Sequence, residues 1–149
     1  MPPEPHRSTA AAMDPVVLYR LMALRNAVFV VEQRAAYDDL DGRDVEPGAE
    51  QLWIEEDGAV LATLRILEER GAWRIGRVAT AAAARGRGLG ADLMRTAVAR
   101  CRERDAALPV VLGAQEHLAG WYGRFGFALD GPGWVEDGIP HVPMRLPAA

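Results

Sequence analysis

A glycine-rich segment in the middle of the chain has the residue types of an anion-binding loop. It lies between a predicted strand and a predicted long helix and comprises Arg85, Gly86, Arg87, Gly88, Leu89 and Gly90. Glycines let the backbone approach a ligand closely, and a helix N-terminus adds the positive end of a dipole. The segment therefore predicts that main-chain N–H groups bind a pyrophosphate, with Arg85 and Arg87 supplying charge.

Two widespread phosphate-binding motifs do not fit this segment. A P-loop ends in Gly-Lys followed by Ser or Thr, and this loop has no such ending. A dinucleotide-binding fold places its glycines after the first strand of a βαβ unit, with an acidic residue about 20 positions later. Here the glycines follow three consecutive predicted strands. Nucleotide hydrolysis and dinucleotide binding are therefore disfavoured.

Length and composition limit the classes of protein that the chain can represent. The 149 residues match the usual size of one domain, and 50% of them are hydrophobic, which is ordinary for a globular protein. The net charge of -4 gives no general attraction to nucleic acid. No apolar run approaches the roughly 18 residues of a membrane span. Cys101 is the only cysteine, which excludes an internal disulfide and a cysteine-rich metal site, so we expect a cytoplasmic protein without a metal.

The first half of the chain predicts one helix and three strands. Residues 1–13 are a Pro-rich tail with a weak edge strand, and Asp14 caps a helix of four or five turns. The apolar stripe of that helix contains Val17, Leu18, Leu21, Leu24, Val28 and Val31. The acidic segment 37–48 predicts a surface loop. Three β-type runs follow at 51–57, 59–69 and 72–80, and their Asp-Gly and Arg-Gly turns predict an antiparallel meander.

Helices and strands alternate in the second half. A long helix follows the glycine-rich loop, and its apolar stripe contains Leu89, Leu93, Ala97, Val98 and Cys101. An apolar strand is predicted over 109–114, a short helix over 116–126 and a closing hairpin around 131–133. This order predicts an α/β (α+β) fold with a mixed sheet, and residues 14–149 form a single domain.

The loop and its surroundings resemble the GNAT acetyltransferase family, in which R-x-x-G-x-G joins a strand to a long helix. Further motifs between residues 14 and 146 resemble the ElaA-type branch: FVVEQ (29–33), YDDLDGRD (37–44), IGRVAT (75–80), ARGRGLG (84–90), WYGRFGF (121–127) and EDGIPHVPM (136–144). The resemblance implies a GNAT fold. That fold has a central mixed, mostly antiparallel sheet of about six to seven strands, flanked by helices, with a splayed strand that binds acyl-CoA.

The resemblance also implies how acetyl-CoA is held. The backbone of the splayed strand would pair with the pantetheine arm at Val78, Ala79 and Thr80, and the amides of residues 85–90 would hold the pyrophosphate. Many relatives have an asparagine near the end of the following strand, where this chain has Gly113. Gln115 is our candidate for the missing polar contact.

Tyr122 and His141 are the candidate catalytic residues. Tyr122 matches a tyrosine that lies near the thioester sulfur and protonates the leaving thiolate, although its aromatic neighbours are equally typical of a core position. Many relatives have a carboxylate base on the strand before the loop, and residues 75–78 contain none. His141, in the turn GIPHVPM, is the alternative proton acceptor; a structural histidine is the competing interpretation.

The acceptor is predicted from the acidic residues. An anionic cofactor gains nothing from carboxylates, so we expect these groups to contact a cationic amine, either a small molecule or a peptide. The candidate acceptor contacts are Glu32, Asp38, Glu136, Asp137 and His141. For the acidic segment 38–44, a solvated surface is the alternative.

Three functions therefore compete at this point. The first is an acetyl-CoA-dependent N-acetyltransferase that transfers the acetyl group directly in a ternary complex, without a metal. The second is a catalytically silent module that binds or senses acyl-CoA. The third is a structural domain with a fortuitous glycine loop. A homodimer is compatible with all three, and neither nucleic acid nor a membrane is expected as a partner.

Overall fold

One mixed sheet of eight strands runs through the computed structural model, which describes residues 3–149. The strands are β1 (His6–Ser8), β2 (Glu50–Glu56), β3 (Ala59–Glu69), β4 (Ala72–Thr80), β5 (Val110–Gln115), β6 (Ala128–Leu129), β7 (Trp134–Glu136) and β8 (Ile139–Leu146). Their order is β1-β2-β3-β4-β5-β8-β6, and β7 also pairs with β8. Among these described strands, β4 and β5 are the only parallel neighbours.

In the described part of the chain, three α-helices flank the sheet: α1 (Pro15–Arg25), α2 (Leu89–Asp105) and α3 (Ala119–Gly123). A π-helix (Asn26–Glu32) continues directly from α1, and 3-10 turns lie at Arg43–Val45, Ala82–Ala84 and Glu116–Leu118. Asp14 caps α1 by accepting hydrogen bonds from the N–H groups of Val16 and Val17. The predicted cap and the second long helix are therefore confirmed. The first predicted helix is α-helical only as far as Arg25, and its last turns are a π-helix.

The predicted meander of β2, β3 and β4 is confirmed, and the end of the chain differs from the prediction. The sheet has eight strands instead of six to seven, because β6 and β7 both pair with β8. The closing hairpin turns at Asp137 and Gly138, not around residues 131–133. Both turn residues have left-handed backbones, with φ of 50° and 77°, which is the conformation that an Asp-Gly hairpin turn requires.

The two faces of the sheet carry separate hydrophobic clusters. Alternate residues of the meander, such as Leu52, Leu64 and Ile75, pack with α2 and α3 on one face. Trp53 and Val60 point to the other face and pack with α1. This alternation follows from the two-residue period of a strand. The sheet is thus covered by one long helix on each side.

The π-helix changes which side chains face the core after α1. Val28 is buried, but Val31 is 65% exposed, so the predicted apolar stripe is wrong at Val31. A π-helix makes i→i+5 hydrogen bonds and has more residues per turn than an α-helix, so the three-and-four spacing no longer marks one face. The segment ends with Glu32 at its last position.

The acidic segment 37–48 is anchored to the sheet, so the prediction of a surface loop is wrong for its buried members. Arg25 is fully buried at the end of α1. It donates hydrogen bonds to Asp39 (3.0 Å) and to Asp44 (2.6 Å). Arg65 on β3 donates to Asp41 (2.8 Å) and Asp44 (3.2 Å). Three of the carboxylates predicted to face solvent or substrate are therefore engaged by arginines.

These arginines also set the ionisation of the carboxyl groups. Hydrogen bonds from Arg65 hold the pKa of Asp41 well below its ordinary value, although burial acts in the opposite direction. Burial would raise the pKa of Asp44, but the contacts with Arg25 and Arg65 outweigh it and lower that pKa. Both carboxylates are charged at neutral pH.

We expect Arg25→Met to destabilise the fold by about 3 kcal/mol, because it removes the fully buried guanidinium that binds both Asp39 and Asp44. Each carboxylate keeps one other arginine, so the loss should lie at the lower end of the range for a broken buried ion pair. Chemical denaturation at neutral pH measures this loss. Arg20→Met, at an exposed position of the same helix, is the control and should change stability by less than about 0.5 kcal/mol.

The effect of Arg25→Met should also depend on pH, because Arg25 lowers the pKa of Asp44 in the folded protein. A carboxyl group whose pKa is lower in the folded than in the unfolded protein stabilises the fold above the unfolded pKa of about 4. This stabilisation is lost as the pH falls through the folded pKa. The difference from wild type should therefore shrink in acid; equal effects of both substitutions would contradict this assignment.

Candidate active site

A cleft opens where β4 and β5 separate. These parallel strands pair only at Trp73 with Val110 and at Arg74 with Val111. Beyond that point β4 pairs with β3 alone. The register of these two strands shifts at a bulge between the pairs Thr63–Ala79 and Arg65–Gly76. The cleft measures about 520 Å³ and is lined by the π-helix, β4, β5, α3 and the turn between β7 and β8. The predicted splayed strand is confirmed.

Arg77 occupies the bulge and has a left-handed φ of 52°, which is uncommon for a residue with a side chain. Its Nε lies 2.9 Å from an oxygen of Asp39, and its guanidinium stacks over the ring of Tyr37 at 5.4 Å. These contacts hold the bulge in place. Arg77 and Tyr37 both line the cleft, and we did not predict either from the sequence. An arginine between Gly76 and Val78 in β4 was the available indication.

The glycine-rich loop enters α2 through two left-handed glycines. Gly86 has φ of 85° and Gly88 has φ of 77°, a region that other residues rarely adopt. Within residues 3–149, no side chain caps the start of α2. The first N–H groups of that helix have no intrahelical acceptor and are available to an anion. Gly90, the second residue of α2, lines the cleft.

The predicted strand contacts lie beside this loop. Val78, Ala79 and Thr80 all line the cleft past the point where β5 leaves β4. Arg85 also lines it, and its Nε donates a hydrogen bond to the carbonyl oxygen of Thr80 at 3.2 Å. The loop and the end of β4 thus form one continuous wall.

Tyr122 lies on α3, lines the cleft and is 7% exposed. Its ring meets Trp121 edge to face, with centroids 4.9 Å apart. Burial raises the pKa of its hydroxyl to about 12. The hydroxyl therefore keeps its proton at neutral pH.

His141 lies on β8 and also lines the cleft. Its Nδ1 lies 2.8 Å from the carbonyl oxygen of Ile139. A carbonyl oxygen only accepts, so Nδ1 carries the proton and the neutral ring keeps its lone pair on Nε2. Trp134 stacks on the ring at 5.6 Å with an interplanar angle of 19°. The histidine is held in one tautomer with a basic nitrogen.

Gly113 leaves room for the indole that supports His141. A Cβ at residue 113 would lie only 3.1 Å from Cη2 of Trp134 and 3.2 Å from its Cζ2. An asparagine at this place would push the indole away. Gln115 lies further along β5, where its Nε2 donates to the Oε1 of Gln33 at 3.3 Å. Both glutamines line the cleft.

The predicted acceptor carboxylates divide into two groups. Glu32, Glu136 and Asp137 line the cleft. Asp38 lies outside it, in a shallow depression beside α1 with Met22. The arginine contacts of the neighbouring aspartates hold this loop against the sheet. The expectation that Asp38 contacts the acceptor therefore does not match its position.

Within residues 3–149, no group of three or more His, Cys, Asp or Glu side chains is arranged to hold a metal ion. None of the helices in this part of the chain combines the length and apolar character needed to cross a bilayer.

Known proteins share the sequence and the fold of this chain. A family model described as an acetyltransferase (GNAT) domain matches residues 19–148. A UPF0039 protein of Mycobacterium tuberculosis is 40% identical over 148 residues, which cover 96% of this chain and 92% of that protein. The crystal structure of an acyl-CoA N-acyltransferase from Pseudomonas aeruginosa matches with a TM-score of 0.92 and 39% identity, covering 97% of this chain and 99% of that one. Escherichia coli ElaA matches with a TM-score of 0.91 and 35% identity over the same shares.

Proposed function

Because this chain belongs to the GNAT acetyltransferase domain family, we propose that it is an N-acyltransferase that moves an acetyl group from acetyl-CoA to an amine. Both substrates would occupy the cleft together, and the acyl group would pass directly between them. The observation that carries the proposal is the glycine-rich loop at the start of α2, beside two separating strands. The Pseudomonas aeruginosa relative is described as an acyl-CoA N-acyltransferase, which supports the donor class.

The residues of this cleft fit the chemical groups of acetyl-CoA. The backbone of residues 78–80 is not paired with β5, so it would be available to the amide groups of the pantetheine arm. Gly86 and Gly88 leave space for the phosphates to approach the backbone closely, since an added Cβ at either residue would meet no atom within 4 Å. The free N–H groups at the start of α2 would hold the pyrophosphate. The thioester supplies an activated acetyl group.

Tyr122 would assist departure of the thiolate. Its hydroxyl is protonated at neutral pH, and burial raises its pKa further, to about 12. Donation of this proton to the leaving sulfur would stabilise the transition state more than the ground state. The aromatic contacts of the ring with Trp121 hold the hydroxyl in the cleft.

His141 would accept the proton of the attacking amine. An aliphatic amine has a pKa of about 10 and must lose a proton before it can attack. The lone pair on Nε2 of His141 suits this role, directly or through one water, since Nδ1 is engaged by Ile139. The carboxylates of Glu136 and Asp137 lie on the same wall and favour a cationic acceptor. We therefore propose small cationic amines as preferred acceptors.

We further propose that residues 14–149 act as one catalytic domain in the cytoplasm. The family match over residues 19–148 supports the domain limits. The one cysteine, Cys101, is a free and buried thiol, so the fold uses no disulfide and suits a reducing compartment.

We expect His141→Ala to lower kcat/KM for an amine by about 100-fold at neutral pH, the usual effect of losing a general base. The loss should shrink as the pH rises past the pKa of the amine, because the amine then loses its proton without help. Rates of thiol release across pH measure this. His6→Ala, on the edge strand β1, is the control and should leave the profile unchanged. A constant loss up to high pH, or a preference for anionic acceptors, would show that the histidine is structural.

A further inference from the structure

Both arginines of the glycine-rich loop form ion pairs with carboxylates from other parts of the chain. Arg85 donates to both oxygens of Glu32, at 2.7 Å and 2.6 Å. Arg87 donates to both oxygens of Glu56, at 3.4 Å and 3.1 Å. The hydrogen bonds from Arg85 also hold the pKa of Glu32 below its ordinary value. The loop that would bind a pyrophosphate thus has its two positive charges balanced in the free protein.

The two ion pairs differ in where they lie. Glu32 and Arg85 both line the cleft, and Arg85 also contacts the carbonyl oxygen of Thr80. Thr80 belongs to the strand that would hold the pantetheine arm. The pair therefore joins the π-helix to the loop that follows β4, in the cleft that acyl-CoA would enter. Glu56 is the last residue of β2, and its pair with Arg87 lies away from the cleft lining.

A phosphate group would compete with Glu32 for Arg85. Guanidinium binds carboxylates and phosphates in the same two-pronged way, so one anion can replace the other. About half of each side chain in the pair is exposed, 46% for Arg85 and 43% for Glu32, and exposed ion pairs are weak. Binding of a phosphate at the loop would therefore release the carboxylate of Glu32.

The released carboxylate would lie near the wall that carries His141. Gln33 follows Glu32 directly, and its side chain accepts a hydrogen bond from Gln115. Gln115 is the register partner of His141 between β5 and β8. The end of the π-helix is thus tied to the strand pair that holds the proposed base. A carboxylate freed at this place joins Glu136 and Asp137 in the same cleft.

We infer that Glu32 is a shared carboxylate, which neutralises Arg85 in the free protein and binds the cationic acceptor once a phosphate of the acyl donor holds Arg85. This inference rests on the proposed function for the identity of the two ligands. Its consequence is a positive coupling between them: the donor makes the site for the amine, and by linkage the amine strengthens binding of the donor. Release of Glu56 from Arg87 would place no carboxylate in the cleft, because neither residue of that pair lines it.

Calorimetry with coenzyme A and 1,4-diaminobutane tests the inference without turnover. In the wild type, the diamine should bind at least about fivefold more tightly to the protein saturated with coenzyme A than to the free protein. In Glu32→Gln, that difference should vanish, and coenzyme A alone should bind about threefold more tightly because its competitor is gone. Glu56→Gln is the matched control and should keep the coupling.

Three results would overturn the inference: a coupling that survives in Glu32→Gln, coenzyme A affinity that does not rise in that variant, or no diamine binding to the wild type in either state. A separate assay of thiol release from acetyl-CoA distinguishes this failure from failure of the enzymatic function. A protein that shows the coupling but releases no thiol with any amine would retain the shared carboxylate and lose the proposed activity.

Discussion

Gly90→Glu is expected to abolish binding of coenzyme A, with a loss of affinity of more than about 100-fold. Gly90 lies on the first turn of α2 and lines the cleft beside the loop. A glutamate there would place a negative charge beside the N–H groups that we assign to the pyrophosphate. Placing like charges side by side costs several kcal/mol, and each 1.4 kcal/mol is about tenfold in affinity. Calorimetric titration measures the change.

Two further substitutions at the same position separate bulk from charge. A Cβ at Gly90 would lie 3.5 Å from Trp121 and 3.6 Å from Thr80, which are ordinary contact distances, so Gly90→Ala should retain most of the affinity. Gly90→Gln has nearly the size of glutamate without its charge and should fall between the two. Wild-type affinity in Gly90→Glu would show that the pyrophosphate does not bind at this loop.

Tyr122→Phe is expected to lower kcat by about 100- to 1,000-fold, the range for loss of a general acid. The affinity for coenzyme A should change little, because phenylalanine keeps the ring and its edge contact with Trp121. The loss would therefore be one of transition-state stabilisation. It is measured as kcat at saturating concentrations of both substrates, with coenzyme A affinity determined by calorimetry.

A second variant controls for packing around Tyr122. Phe125 belongs to the same aromatic group and contacts Trp121 at 5.0 Å, but it has no hydroxyl to donate. Phe125→Leu should weaken packing and leave kcat within a few-fold of wild type. If Tyr122→Phe turned over at the wild-type rate while chemistry limited turnover, the tyrosine would be a core residue only.

Local patterns in the sequence were sufficient for most of the fold. The turns at Asp57-Gly58 and Arg70-Gly71 place the boundaries of three strands within a residue or two of those observed. Each turn and each strand is determined by residues close together in the chain, so the spacing of residue types in the sequence predicts them. The same rule, applied to Asp137-Gly138, would have placed the closing hairpin correctly.

Long-range partners are the part that spacing does not reveal. Arg25 is fully buried, yet in the sequence it is one polar residue on a helix, and its partner Asp44 lies 19 residues later. The exposure of Val31 likewise depends on the π-helix, which no spacing rule predicts. The burial of Arg25 and the exposure of Val31 are therefore visible only in the three-dimensional structure.

In the candidate site too, sequence motifs identified some residues, whereas the position of others is visible only in the structure. The glycine-rich loop and Tyr122 were identified through motifs, and the structure brings both to one cleft with His141. Asp38 was chosen for its charge, and its place outside the cleft depends on how the loop is anchored. Arg77 lies at the bulge of β4, and Tyr37 lies in the loop after the π-helix, where its ring packs against the guanidinium of Arg77. Their contact joins two distant segments of the chain, so the strand sequence alone did not assign either residue to the cleft.

The most direct test of the proposed activity is release of coenzyme A from acetyl-CoA by the purified protein, measured with a thiol reagent across a panel of amines, polyamines, amino acids and peptides. We expect release that requires an amine, equals the amount of acetylated product, favours small cationic acceptors and disappears in Gly90→Glu. If calorimetry shows that coenzyme A binds but no amine in the panel produces thiol above the rate of hydrolysis, the protein is a silent acyl-CoA-binding module and not an acetyltransferase.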